Sequence, residues 1–298
     1  MSTKDVHSNH TQRNRLLWAF GINLIIALAE VAGGIFSNSL ALISDAFHNV
    51  GDSLAILLSY FAILLVAKPV SKLKTFGNKR AEILIALFNA AALTGICLFL
   101  IIEAIERFMN PSPISGGIML WVAVIGLVGN LVAVFILHQN HKDSLNIKSA
   151  YLHLMGDTLS SVAVVAGSIL ILWKGIYWID PLITIIISIY IIIGAYEIIK
   201  QTVHILMQGV PEGYDLKEIK NGLEKHDLVE SIHHVHLWML NESQIHFECH
   251  AMLIQDMALS SAQSVKQELT DILEKKYHIN HVTIQLEIND CSEKNLHY

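Results

Sequence analysis

Two short strings could do chemistry. Ser44-Asp45-Ala46-Phe47-His48-Asn49-Val50-Gly51-Asp52 and Tyr151-Leu152-His153-Leu154-Met155-Gly156-Asp157 each place an aspartate four residues after a histidine. On an α-helix, residues i and i+4 share one face. His48 with Asp52, and His153 with Asp157, therefore each present one imidazole and one carboxylate to one side. If the two helices pack together, four N/O ligands converge, a tetrahedral set suited to Zn2+ at about 2.0–2.2 Å.

The two strings are also copies of one pattern. Counting from each histidine, both have Ser at −9 (Ser39, Ser144), Leu at −8 (Leu40, Leu145), Ser at −4 (Ser44, Ser149) and Gly at +3 (Gly51, Gly156). A small hydroxyl residue follows at +5 (Ser53, Thr158) and Leu at +6 (Leu54, Leu159). Internal repeats with a site between the halves are common in secondary transporters. Gly51 and Gly156 are expected to let the two helices approach closely. Asp45 lies three residues before His48, and a structural or orienting role suits it at least as well as ligation. Asn23, Glu30, Asn89 and Asn130 read as helix–helix hydrogen-bonders.

The elements that must position these residues are transmembrane helices. Of 298 residues, 53% are hydrophobic and only 15% charged, where a soluble domain carries about 25% charge. That excludes a disordered chain and argues against an ordinary soluble enzyme. The net charge of −6 argues against nucleic acid as a partner. Three cysteines are too few and too scattered for a disulfide scaffold. Six apolar stretches stand out: 16–36, 40–67, 81–108, 118–137, 150–173 and 182–207. Each is long enough to cross ~30 Å of hydrocarbon. Asp180-Pro181 reads as an N-cap and first-turn pair opening the sixth. Ten Lys and Arg fall in the amino-terminal tail and in the loops after the second and fourth stretches, while the opposite loops offer Arg107 and Lys174. Both termini are therefore expected in the cytoplasm.

The last third is different. Residues 212–298 carry a net charge of −8, and ten of the sixteen histidines follow residue 200. Apolar periodicity predicts a helix over 215–226, β-runs over 233–240 and 244–253 with a hairpin break at 241–243, a helix over 260–277 and a strand over 281–288. The expected fold is a membrane all-α six-helix bundle plus a small cytoplasmic α+β domain of order α-β-β-α-β, ferredoxin-like or metallochaperone-like. The expected divisions are a tail 1–15, a transport domain 16–208, and a metal-binding and dimerisation domain 209–298. Candidate ligands in that last domain are His233, His234, His236, His246, Glu248, Cys249, His250, His278, His281, Glu287 and Cys291. Strand alternation predicts His234 and His236 on one face with His233 on the other. It puts His246, Glu248 and His250 together, with Cys249 opposite. The basic run Lys68–Arg80 reads as a positive-inside loop, with anionic lipid contact as a further role.

Taken together, the six apolar stretches, His-x-x-x-Asp on the second and fifth, and the α-β-β-α-β tail resemble the cation diffusion facilitator family of metal transporters, in particular its bacterial cobalt-zinc-cadmium branch. Residues 44–52 are similar to the family's second-helix signature. Thr75-Phe76-Gly77 before Arg80-Ala81-Glu82 resembles its third-helix entry. His233-x-x-His236-Leu237-Trp238 and Thr283-Ile284-Gln285-Leu286-Glu287 resemble its cytoplasmic domain. The resemblance implies a homodimeric exporter that trades a cytosolic divalent cation, Zn2+ and also Cd2+ or Co2+, for protons; short loops and no recognisable sorting signal make a bacterial inner membrane the expected location. It implies that His48, Asp52, His153 and Asp157 are the transport ligands, and that His233, His250 and Glu287 hold a regulatory Zn2+. It implies no catalytic cofactor and no enzymatic activity. Some relatives place another metal site in the loop after the second helix; residues 68–80 hold no histidine or acid, so that site is expected to be absent here. Two other classes are a membrane metalloenzyme, which would need an open metal position beside a base, and a metal sensor, which would bind zinc without moving it.

Overall fold

In the computed structural model, residues 21, 23–66, 68–138, 145–241 and 243–288 are described, with backbone alone at 56, 59, 60, 63, 136–138 and 145–154. The amino-terminal tail expected over 1–15 lies outside them. The helices are α1 (Asn23–Ser37), α2 (Leu40–Val66), α3 (Ala81–Met109), α4 (Gly116–His138), α5 (Leu145–Lys174) and α6 (Ile179–Leu206). Then follow α7 (Leu216–Leu223), β1 (Val229–Asn241), β2 (Gln244–Leu253), α8 (Leu259–Tyr277) and β3 (His281–Glu287). Among the described residues, four helices are long and apolar enough to cross a membrane: Ala81–Met109, Gly116–Phe135, Met155–Lys174 and Ile179–Leu206. The described parts of Met1–Phe61 with Ile85–Ile199 form one unit, and those of Ala62–Leu84 with Lys200–Tyr298 another.

The first unit is apolar outside, and inside it buries polar groups beside apolar clusters such as Leu42, Met119, Val164 and Ile187. Glu30, Ser44, Asp45, His48, Asn49, Asn130, Asp157, Ser161 and Ser188 are buried, while Phe88, Phe99, Ile102, Trp121, Phe135, Leu159 and Ile193 are exposed. Hydrocarbon solvates the apolar face without cost, whereas each polar group in it needs an internal partner. Four such pairs are present. Asn49 Nδ2 donates to Glu30 Oε2 at 2.8 Å, Asn130 Nδ2 to Ser161 Oγ at 3.0 Å, Asn23 Nδ2 to Ser53 Oγ at 3.3 Å, and Asn89 Nδ2 to the Gly51 carbonyl at 3.4 Å.

α1 and α2 join through Asn38, which sits at φ 58°. Asparagine tolerates this left-handed conformation better than most residues. Arg107 Nη1 on α3 donates to the Asn38 carbonyl at 2.9 Å. The cap at the start of α2 corrects the sequence expectation for Asp180. Helix α6 already begins at Ile179, and the buried Asp180 carboxylate reaches α2 instead. It accepts from Ser39 Oγ and from the backbone N–H groups of Leu40 (2.8 Å) and Ala41 (3.2 Å). A local N-cap and a long-range one look alike in sequence, because both need only a short acceptor. Asp180→Ala should lower stability by about 2–3 kcal/mol, the loss of a cap plus buried donors left unpaired. Thermal unfolding of the purified protein in detergent checks this; a parent-like Tm would mean that α2 is held otherwise.

The second unit contains a three-stranded sheet of order β1-β2-β3, with β2 antiparallel to β1 and parallel to β3. One sheet face buries Ile232, Val235, Leu237, Phe247, Cys249, Ala251, Leu253 and Ile284 against Ile219 and Leu223 of α7 and Val265, Leu269 and Leu273 of α8. The α8 residues recur every fourth position, a single apolar stripe. Asp215 caps α7, accepting from Lys217 N at 2.8 Å. The element order matches the sequence expectation. His278, a candidate ligand, is the left-handed C-cap of α8 at φ 55°.

Candidate metal centres

Helices α2 and α5 bring His48 and Asp157 together. His48 Nε2 lies 2.8 Å from Asp157 Oδ1 and 3.6 Å from Asp52 Oδ2. The ligand atoms of His48, Asp52 and Asp157 all fall within 4.8 Å of one another and could hold one metal ion. A tetrahedron with bonds of about 2.1 Å has ligand–ligand edges of about 3.4 Å. The His48–Asp52 separation is already of that size, while His48 and Asp157 must part slightly to admit an ion. His48 and Asp157 are buried, and Asp52 retains partial access. His153 lies on α5 one turn before Asp157, but its side chain is outside the described residues.

Two serines tie the α2 side of this centre to α5. Ser160 Oγ donates to Asp45 Oδ1, and Ser161 Oγ to Asp45 Oδ2 at 3.2 Å. Asp45 is thus hydrogen-bonded at both oxygens by the helix that carries Asp157, which suits an orienting role. Sequence reasoning did not pick out Ser160 and Ser161. Their spacing from Asp157, three and four residues, was the available signal. The paired glycines do not meet. A Cβ on Gly51 would approach Leu93 of α3 at 3.3 Å, and one on Gly156 would lie 2.4 Å from Tyr190 Oη of α6. A residue at +3 is turned about 60° from the histidine, so each glycine admits a different neighbour.

The second centre lies on the sheet face opposite the core. His233 and His250 are partners across β1 and β2, and Glu287 extends from β3, where it pairs with Met252. His250 Nδ1 is 2.7 Å from Glu287 Oε1, and His233 Nε2 is 3.3 Å from Glu287 Oε2. These are ion-pair distances, but the angles make no hydrogen bond. His233 Nε2, His250 Nδ1 and Glu287 Oε2 are all buried without a hydrogen-bond partner among the described residues. Buried ring nitrogens and a carboxylate oxygen that converge without hydrogen bonds are what a cation relieves, and these three residues could hold one.

Strand alternation fails at His234. The register slips between His233 and His236, and His234 takes φ 53°. This β-bulge puts one extra residue opposite β2. The His234 ring consequently stacks on His250 at 4.5 Å and sits 4.9 Å from His236, on the same side as His233 rather than opposite. Lost hydration, then the like charges of His250 and His236, pulls the His234 pKa below its ordinary value. His246, Glu248 and His250 do share a face. His246 packs against Trp238, His281 and Phe76, with ring centroids at 5.4, 4.5 and 5.6 Å. Cys249 lies in the core, where burial and then Glu248 push its thiol up to about 12. It is a packing residue rather than a ligand. Cys291 falls outside the described residues.

Comparison with known proteins agrees with this architecture along nearly the whole chain. Residues 16–207 match the cation efflux transmembrane domain, and residues 211–289 match the cytoplasmic domain of cation efflux proteins. The cadmium, cobalt and zinc/H(+)-K(+) antiporter of Bacillus subtilis is 38% identical over 94% of this chain and 91% of its own. The metal cation efflux system protein CzcD of Cupriavidus metallidurans is 37% identical over 89% of this chain and 84% of its own. The zinc transporter ZitB of Escherichia coli is 34% identical over 95% of this chain and 90% of its own. With both domains matched and identity of this level across almost all of its length, the chain belongs to the cation efflux family.

Proposed function

We propose that the chain is a secondary active exporter that moves Zn2+, and also Cd2+ or Co2+, out of the cytosol in exchange for protons. The observation that carries this reading is the meeting of His48 and Asp157, from two helices, among buried polar groups inside a unit whose outside is apolar. Under this reading His48, Asp52, Asp157 and His153 form the transport site. Six helices, α1 to α6, make the transport domain over 16–208. The domain over 209–298 lies in the cytoplasm with both termini. The inner membrane is the location, and the working form is a homodimer. The names of the relatives support the cargo and the exchange, and describe transporters rather than enzymes.

The exchange follows from the ligands. Imidazole binds metal only when neutral and carboxylate only when ionised, so metal and protons compete for the same atoms. His48 Nε2 and Asp157 Oδ1 already share one contact. A proton held there occupies the position that the cation needs. Loading from the cytosol displaces it, and protonation from the other side returns it. Each occupant favours one of two global states, which makes the exchange alternating. His233, His250 and Glu287 bind Zn2+ as a regulatory ligand that compacts the cytoplasmic domain. The test is metal uptake into inside-out vesicles with an imposed pH gradient. Zn2+ should enter as protons leave, and collapsing the gradient should stop it. Zinc binding without flux in sealed vesicles would instead identify a sensor.

A further inference from the structure

The chain between α2 and α3 has an unusual surface. Residues 68–80 hold five cations, Lys68, Lys72, Lys74, Lys79 and Arg80, and no acid. Leu73, flanked by two lysines, is 96% exposed, and Val70 and Phe76 are exposed beside it. Because α3 starts at Ala81 as a membrane-crossing helix, this segment lies at the bilayer surface. Apolar side chains set among lysines suit that interface, where the chains enter the acyl boundary and the cations meet anionic headgroups.

A cavity of about 470 Å³ opens within the same structural unit. Phe76, Lys79 and Arg80 from the loop form one side, Trp238 and His246 from the sheet another, and Leu84 of α3 adds an apolar wall. Among the described residues no carboxylate lines it. Its cations have only neutral partners or none. Lys79 Nζ donates to Gln244 Oε1 at 2.6 Å, and Lys74 Nζ to Asn78 Oδ1 at 2.8 Å. Arg80 Nε is buried and has no hydrogen-bond partner among the described residues. A guanidinium nitrogen withdrawn from water without an acceptor is costly, and phosphate matches its geometry. Burial, then His281 and Lys79, pulls the His246 pKa below its ordinary value, so the aromatic wall stays neutral.

We propose that this cavity binds the phosphodiester headgroup of an anionic membrane phospholipid. Lys79 and Arg80 take the phosphate, while Phe76, Leu84 and Trp238 shelter its glycerol end. The volume is within the range of about 300–1,000 Å³ typical of small-ligand sites, enough for a headgroup with the acyl chains left in the bilayer. Position at the bilayer surface and the apolar wall select a lipid over a free phosphate ion. A bound lipid would also join the α2–α3 loop to β1 and β2, of which β2 already touches the loop through Gln244 and Lys79.

The test is native mass spectrometry of the full-length protein reconstituted with phosphatidylglycerol or phosphatidylcholine and then delipidated. The parent should keep one phosphatidylglycerol per chain and no phosphatidylcholine. The double variant Lys79→Gln/Arg80→Gln should retain about tenfold less than Lys68→Gln/Lys72→Gln, which removes the same charge outside the cavity, because charge-assisted hydrogen bonds are lost only in the first. If the double variant gives no protein, Lys79→Gln and Arg80→Gln singly should each fall about threefold below Lys72→Gln. Equal retention in the two double variants would reduce the effect to general attraction for basic loops and overturn the proposal. So would equal retention of phosphatidylcholine, or release of the lipid by excess inorganic phosphate, which would mark a soluble-anion site.

Discussion

Zinc flux should fall to the level of empty vesicles when Asp157 is replaced by alanine, and also when it is replaced by asparagine. Asp157 supplies one ligand of the proposed four and half of the carboxylate charge there. Its carboxylate is buried 2.8 Å from His48 Nε2. Asparagine separates two roles. Its side-chain oxygen can still accept a hydrogen bond from His48, so packing survives, but it carries no charge to balance a divalent cation and takes up no proton. Both variants should insert, because either change removes a charge from the Met155–Lys174 span, leaves the other three apolar spans untouched, and Ser160 and Ser161 still hold Asp45. The check is proton-driven zinc uptake at matched protein density. Flux in Asp157→Asn equal to the parent's would remove Asp157 from the transport site.

The second large effect concerns the cytoplasmic domain. The isolated segment 209–298 should fold alone, since α7, α8 and the sheet share one core. Zinc at a hundred times its Kd should add about 2.7 kcal/mol to its stability. For a domain of this size each kcal/mol moves Tm by about 4–8 °C, so the expected rise is roughly 10–20 °C. Replacing His233, His250 and Glu287 together should remove most of it. The same change in the whole protein should slow transport without stopping it, because none of the three lies on α2 or α5. A full zinc-dependent rise in the triple variant would move the site to other histidines, with His234, His236 and His246 next. Complete loss of transport would make the domain an obligate part of the cycle.

What could be read from sequence depended on whether the chemistry was local. The pair His48/Asp52 and the residue Asp157 that meets it announce themselves because four-residue spacing and helical geometry are one rule, and burial of charge in an apolar run narrows its meaning. The core face of the sheet was equally legible from alternation at Phe247, Cys249, Ala251 and Leu253. Three features were not. The bulge at His234 breaks alternation through one backbone angle that no neighbouring residue type demands. Gly51 and Gly156 signal a close approach, but the partner, Leu93 or Tyr190, is chosen by the fold. Asp180 caps a helix about 140 positions earlier in the chain, and its local sequence suits its own helix just as well.

That distant cap makes the start of α2 a pivot. With Leu40 and Ala41 bonded to the carboxylate at the head of α6, the first turns of the two helices move as one joint, and the rest of α2 is a lever swinging from it. At 1.5 Å per residue His48 stands about 12 Å along the lever and Phe61 about 30 Å. A tilt of roughly 10° would carry His48 by about 2 Å, enough to break and remake its contact with Asp157, and would carry Phe61 by about 5 Å. The contact between His48 and Asp157 and the far end of α2 can thus be coupled through one rigid helix, with the large displacement always at the end away from the joint.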